Sequence, residues 1–184
     1  MLKRFLPSLA GVAALALVGA AVAQRVEPGG PARPGPGLEH ARLGFLVGEW
    51  TTQAEIKSGP WGPGAKVTGR DRCRWMEGRY FITCNTELEG ASGKLTGLAV
   101  FGYDPGSRRY MRASFHSDGQ AALETGAVEA RTWTFSSDRR TGETTLHNRF
   151  VFVEKGAGRY DFRIELSPDG VRWDTLVEGS ATKR

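Results

Sequence analysis

The chain has 184 residues, with 25 lysines and arginines against 20 aspartates and glutamates. That length suits a single domain able to bury roughly two-thirds of its unfolded surface. Its basic residues are interspersed with acidic ones and form no stripe, which argues against a nucleic-acid partner.

Met1-Leu2-Lys3-Arg4 is a short basic head, and Phe5 to Ala23 carries no charge before ending in Ala21-Val22-Ala23. This is the pattern of a signal peptide, residues 1–23, cleaved before Gln24. An uncleaved anchor is the alternative, but Pro7 and the small-x-small site favour cleavage, leaving no membrane span. Loss of Lys3 and Arg4 leaves 23 basic residues against 20 acidic ones, a charge of +3. The expected location is exported, periplasmic or extracellular. Residues 24–37 are dominated by proline and glycine and cannot pack, so they are expected to form a flexible linker.

From residue 38 to 184 one folded domain is expected. Leu38 to Leu46 has the spacing of a short helical segment. Everything beyond it alternates with period two, most clearly at Arg159 to Leu166, where Tyr160, Phe162, Ile164 and Leu166 interleave with charged residues. Similar alternation predicts strands over 50–56, 67–76, 79–88, 95–103, 109–117, 121–129, 132–136, 144–154 and 171–182, about ten in all. Short turns such as Asp104-Pro-Gly-Ser107, Asp118-Gly119 and Pro168-Asp-Gly170 force neighbouring strands antiparallel. A meander of this size leaves two raw edges unless it closes, so an all-β, up-and-down antiparallel barrel is expected, with a two-sheet sandwich as runner-up.

The only two cysteines, Cys73 and Cys84, flank Glu77-Gly78. If Gly78 and Arg79 are the central residues of a type II′ turn, Cys73 faces Cys84 and Trp75 faces Ile82, all on one side. Opposed residues in an antiparallel pair lie within disulfide range, and an exported chain meets an oxidising environment. A structural staple is expected. A redox switch finds no support in a Cys-x-x-Cys motif or cationic activation.

Small barrels of this strand number can enclose one apolar ligand. On the strand over 109–117, Tyr110, Arg112, Ser114 and His116 share one face and Met111, Ala113, Phe115 and Ser117 the other. With the polar face inward, Arg112 would pair with an anionic head group and Tyr110 and His116 would support it. The opposite phase, with Met111, Ala113 and Phe115 in the core, is slightly favoured. The strand over 144–154 is equally ambiguous between Leu146, Asn148, Phe150, Phe152 and His147, Arg149, Val151, Val153.

Catalysis finds less support. Ser114, His116 and Asp118 lie two apart on one strand and do not form the line that acyl transfer needs. His40, His116 and His147 show no metal-ligand spacing, and the glycine-rich 59–69 stretch lacks a Gly-Lys-Ser/Thr ending. No cofactor or metal is expected, and whether the chain is an enzyme stays open, with a binding role preferred.

Gly48-Glu49-Trp50 after a short helix resembles the Gly-x-Trp signature of lipocalins and other calycins. Together with Gly102-Tyr103-Asp104-Pro105, Ser117-Asp118-Gly119, the stretch from Ser167 to Trp173 and the ending Glu178 to Arg184, it is similar to the bacterial calycin-like family catalogued as domain of unknown function 1579. The resemblance implies a closed barrel in which Lys183 or Arg184, Arg184 being preferred, covers Trp50 by cation–π contact. It departs at Ala181-Thr182, where an aromatic is expected. Some related calycins hold haem through one histidine, so His147 or His116 is a less favoured haem candidate. The preferred function is binding of a small, largely apolar ligand, with an anionic lipid-like molecule as one candidate. The alternative is an envelope interaction module with a filled barrel, docking through the Trp61 loop over 58–64.

Overall fold

The computed structural model describes residues 35–184 apart from Trp61, with the backbone alone of Thr141. The expected signal peptide, most of the linker and Trp61 lie outside the described residues.

A six-residue helix, α1 (Leu38–Leu43), runs into a 3-10 turn (Gly44–Leu46). Ten strands follow: β1 (Gly48–Ile56), β2 (Ala65–Trp75), β3 (Phe81–Gly90), β4 (Gly93–Asp104), β5 (Arg109–His116), β6 (Ala121–Glu129), β7 (Thr132–Thr141), β8 (Thr144–Glu154), β9 (Arg159–Ser167) and β10 (Asp174–Lys183). Each pairs antiparallel with its chain neighbours, and β1 pairs with β10 to close the barrel. Closure removes both edges, and the sandwich is excluded. Among the described residues no helix is long and apolar enough to cross a membrane.

Several strands start or end one or two residues from expectation, and two boundaries and one turn differ more substantially. β7 continues through Ser137-Asp138-Arg139 to Thr141, because β8 supplies a full ladder down to Thr141↔Thr144. β10 begins only at Asp174, because the preceding segment folds into a tight turn. There the Asp169 carboxylate accepts the backbone N–H groups of Val171 and Arg172 at 2.9 and 2.8 Å. The β2–β3 link is not a two-residue type II′ turn. Met76 N–H donates to the Phe81 carbonyl, and Gly78 and Arg79 both take positive φ inside a four-residue loop. The loop gains one residue on each side, so the register is unchanged: Cys73↔Cys84 and Trp75↔Ile82. The Cys73–Cys84 disulfide is formed, which is compatible with an oxidising environment.

Strand alternation puts Trp50, Cys73, Ile82, Cys84, Phe101, Tyr110, Trp133, Phe152 and Ala181 inside, with Leu43 and Leu46 descending from the helix. Gly179 allows β10 to approach β1 closely: a Cβ there would lie 2.4 Å from the Gln53 carbonyl oxygen and 2.8 Å from the Ala54 Cα, so only glycine fits.

Candidate functional site

One end of the barrel is sealed by aromatic stacking and by several ties to the helical segment, three of which involve the tryptophans. The Trp50 indole N–H donates to the Leu46 carbonyl at 2.7 Å. The Trp133 indole N–H donates to Glu154 at 2.6 Å, while Arg42 of α1 pairs with the same carboxylate at 2.7 Å and lies over the Trp133 ring. The third tie corrects an assignment. Lys183, not Arg184, covers Trp50, with its Nζ 4.8 Å from the ring centroid and donating to the Phe45 carbonyl at 3.2 Å. The reason is strand parity: Lys183 shares the inward side with Ala181, and Arg184 turns out to donate to Thr51 Oγ1 at 2.9 Å. Where the family resemblance led one to expect an aromatic after Ala181, Tyr160 of the paired strand supplies it, with its ring centroid 4.9 Å from that of Trp50.

Above this floor the interior turns polar. β5 presents Tyr110, Arg112, Ser114 and His116 inward and leaves Met111 and Phe115 exposed, the reverse of the favoured phase. The inversion is stabilised by a partner on β6. Arg112 forms a salt bridge with Glu124, whose side chain is 1% exposed, and Glu124 also accepts from Asn148 Nδ2 at 3.0 Å. The guanidinium further stacks on Phe150, 4.7 Å from the ring centroid. A buried carboxylate of this kind is tolerable only when paired. Arg112 therefore has its charge already met and is not a free cation awaiting an anionic head.

Across the barrel, Asp71 accepts from Thr52 Oγ1 at 3.0 Å and Thr86 Oγ1 at 2.5 Å. No cation pairs with it at salt-bridge distance among the described residues. Burial pushes its carboxyl above the usual range against the pull of the two hydroxyls and of Arg112. Burial likewise raises the Tyr160 phenol, helped by the nearby Asp71 charge. His116 is held below the ordinary imidazole value by burial and then by Arg112, so it is neutral at pH 7. Its Nδ1 is a buried side-chain atom without a hydrogen-bond partner among the described residues. It sits over Gly97, where a Cβ would come within 3.0 Å of it.

Between the floor and these polar groups lies a cavity of about 90 Å³. It is lined by the rings of Trp50, Phe101, Phe150, Phe152 and Tyr160, by the disulfide, and by Asp71, Thr86 and Arg112. Towards the opposite rim the inward side chains of β2, β3, β4, β9 and β10 are aliphatic (Val67, Leu88, Leu95, Ile164, Leu166 and Val177) and partly buried, while β7 places Ser137 and Arg139 on that side. The arrangement is an aromatic floor, a polar ring and an apolar cup open to solvent.

Of the three residues picked out on β5, Arg112 lines the cavity and His116 lies further towards the rim. Tyr110 does not join them: it packs edge-on against Trp133 and Tyr103, and its hydroxyl donates to the Glu39 carbonyl at 3.2 Å. Asp71 and Thr86 were missed, although each shares strand parity with a cysteine already placed inside. A Ser114–His116–Asp118 line is absent, because Asp118 is occupied by the backbone and side chain of Gln120. His147 points outward and pairs with Asp138 at 2.7 Å. Among the described residues no three His, Cys, Asp or Glu side chains are gathered as a metal site.

The outer wall of β3 to β6 is unusually apolar. Phe81, Leu98, Met111, Phe115 and Leu123 are all exposed there, and Leu98 pairs directly with Phe115.

Among solved structures, Rv2717c from M. tuberculosis matches with a TM-score of 0.56 at 11% identity, covering 80% of this chain and 98% of that one. The S-type phycobiliprotein lyase CPES from Guillardia theta matches with a TM-score of 0.53 at 9% identity, covering 79% and 92%. At such identities the likeness is one of fold. Among curated proteins none matches the chain. The family model described as "Protein of unknown function (DUF1579)" matches residues 35–183, and the chain belongs to that family.

Proposed function

We propose that the chain is an exported binding barrel for a small, largely apolar molecule whose polar end reaches the ring formed by Asp71, Thr86 and Arg112. The observation that carries this reading is the cavity of about 90 Å³, in which a few convergent polar groups face aromatic rings beneath a partly exposed aliphatic cup. The cavity alone matches about three waters, so it suits a head group, with the remainder of the molecule lying against Leu88, Ile164 and Leu166. Arg112 and His116 are the proposed contacts from β5, and Tyr110 acts through the floor. The interaction-module reading draws instead on the exposed apolar wall of β3 to β6.

Native mass spectrometry of the gently purified protein, compared with its denatured mass, tests the choice. A small-molecule adduct that is lost on denaturation, and that is absent from an Ala99→Leu variant filling the cavity, supports the binding barrel. A bare mass from the unmodified protein, with no adduct acquired on incubation with a fluorescent alkyl probe, rejects it and favours the interaction module.

A further inference from the structure

The interior of the barrel offers a charge balance that selects among ligands. Its one arginine at the cavity, Arg112, is neutralised by Glu124, whose side chain is almost wholly buried. The opposite carboxylate, Asp71, also lines the cavity and, among the described residues, is met by two threonine hydroxyls and no cation at salt-bridge distance. His116 adds no positive charge at neutral pH. Counted together, Arg112, Glu124 and Asp71 sum to minus one with Asp71 ionised and to zero with it protonated, and at neutral pH His116 adds nothing to either sum. A carboxylate or phosphate entering here would face Asp71 across a low-dielectric space without a spare cation to receive it.

We propose that the head group taken up by this cavity is a non-anionic hydrogen-bond donor, an amine or an alcohol, received by the carboxylate of Asp71. The inference rests on the binding-barrel reading and narrows it. An ammonium would find two sources of stabilisation: the Asp71 charge and the aromatic rings of Trp50, Phe152 and Tyr160 in the cavity wall. An alcohol would donate to Asp71 and accept from Arg112, whose guanidinium has N–H groups beyond the one given to Glu124. Raised by burial, the Asp71 carboxyl is costly to ionise when the cavity is empty. A cationic head would lower that cost, so amine uptake should strengthen as pH rises through the titration of Asp71.

The test is a matched series of probes with one alkyl tail, dodecylamine, dodecanol and dodecanoate, titrated below their aggregation limits into the folded chain at pH 7. Calorimetry reads each affinity. The expected result is that the amine and the alcohol bind at least about tenfold more tightly than dodecanoate, a difference of about 1.4 kcal/mol. In Asp71→Asn the amine should lose about tenfold or more while dodecanoate does not weaken. The wild-type ranking needs no substitution, so the proposal stays testable even if that variant folds poorly. Dodecanoate binding as tightly as the others, or more tightly, overturns the head-group assignment and leaves the binding barrel standing. Failure of all three probes to bind overturns both.

Discussion

At the helix end of the barrel, Trp50, Trp133, Phe135 and Phe152 are almost inaccessible to water. At the opposite rim Val67, Leu88, Ile164, Leu166 and Val177 point into the same interior and stay partly exposed. The aromatic end is dense, hydrogen-bonded to the helix and crowned by Lys183; the aliphatic end has no such cover among the described residues. Buried area and paired polar groups stabilise a fold, whereas apolar surface left wet is stabilising only once something covers it. The contrast therefore assigns stability to one half and binding to the other, with the Arg112–Glu124 and Asp71 layer as the boundary.

Three substitutions probe that division, with the largest expected effect first. Trp133→Ala removes a fully buried indole and its hydrogen bond to Glu154, and should cost about 3–5 kcal/mol in urea unfolding. Leu166→Ala at the rim should cost only about 1 kcal/mol. Equal losses would break the comparison. Lys183→Met keeps the length of the side chain but discards its charge over Trp50 and its bond to the Phe45 carbonyl, at about 1–2 kcal/mol. An unchanged unfolding midpoint would show that the seal depends on packing alone.

The smallest effect has the opposite sign. The folded-state pKa of Asp71 is raised, with burial as the main cause, so the native protein holds this proton more tightly than the unfolded chain. Its charged form costs stability at neutral pH, and the cost is relieved as pH falls through the raised value. Asp71→Asn should therefore be more stable than the parent at pH 7, with the gap closing on acidification. Paired urea titrations at neutral and acid pH measure it, and a gap that widens on acidification would contradict the sign.

The sequence reveals the strands readily because alternation and turn chemistry act locally: Tyr160 to Leu166 declares its two faces without reference to any other strand. The disulfide partner and the register of β2 on β3 were legible for the same reason, and the register survived a wrong turn type. The phase of β5 was not legible. Its polar face is buried only because Glu124 on β6 neutralises Arg112, and its apolar face is exposed although Met111 and Phe115 suit a core. Both facts depend on pairing between strands, which the alternation of one strand does not encode. Asp71 was readable in principle, since it shares parity with Cys73. An isolated aspartate in a run of arginines nevertheless reads as surface.

The ladder between β1 and β10 carries a consequence in time. Every other pairing joins strands adjacent in the chain, whereas this one, from Trp50↔Lys183 to Ile56↔Val177, brings together segments separated by nearly the whole described chain. Hairpins of a few residues form in microseconds, but closing a loop of this length carries an entropic cost of about 4 kcal/mol that no local contact offsets beforehand. The seam should be the late step of folding. Until it forms, β1 and β10 each present an unpaired edge, and two molecules caught at that moment can exchange their last strands in place of closing on themselves.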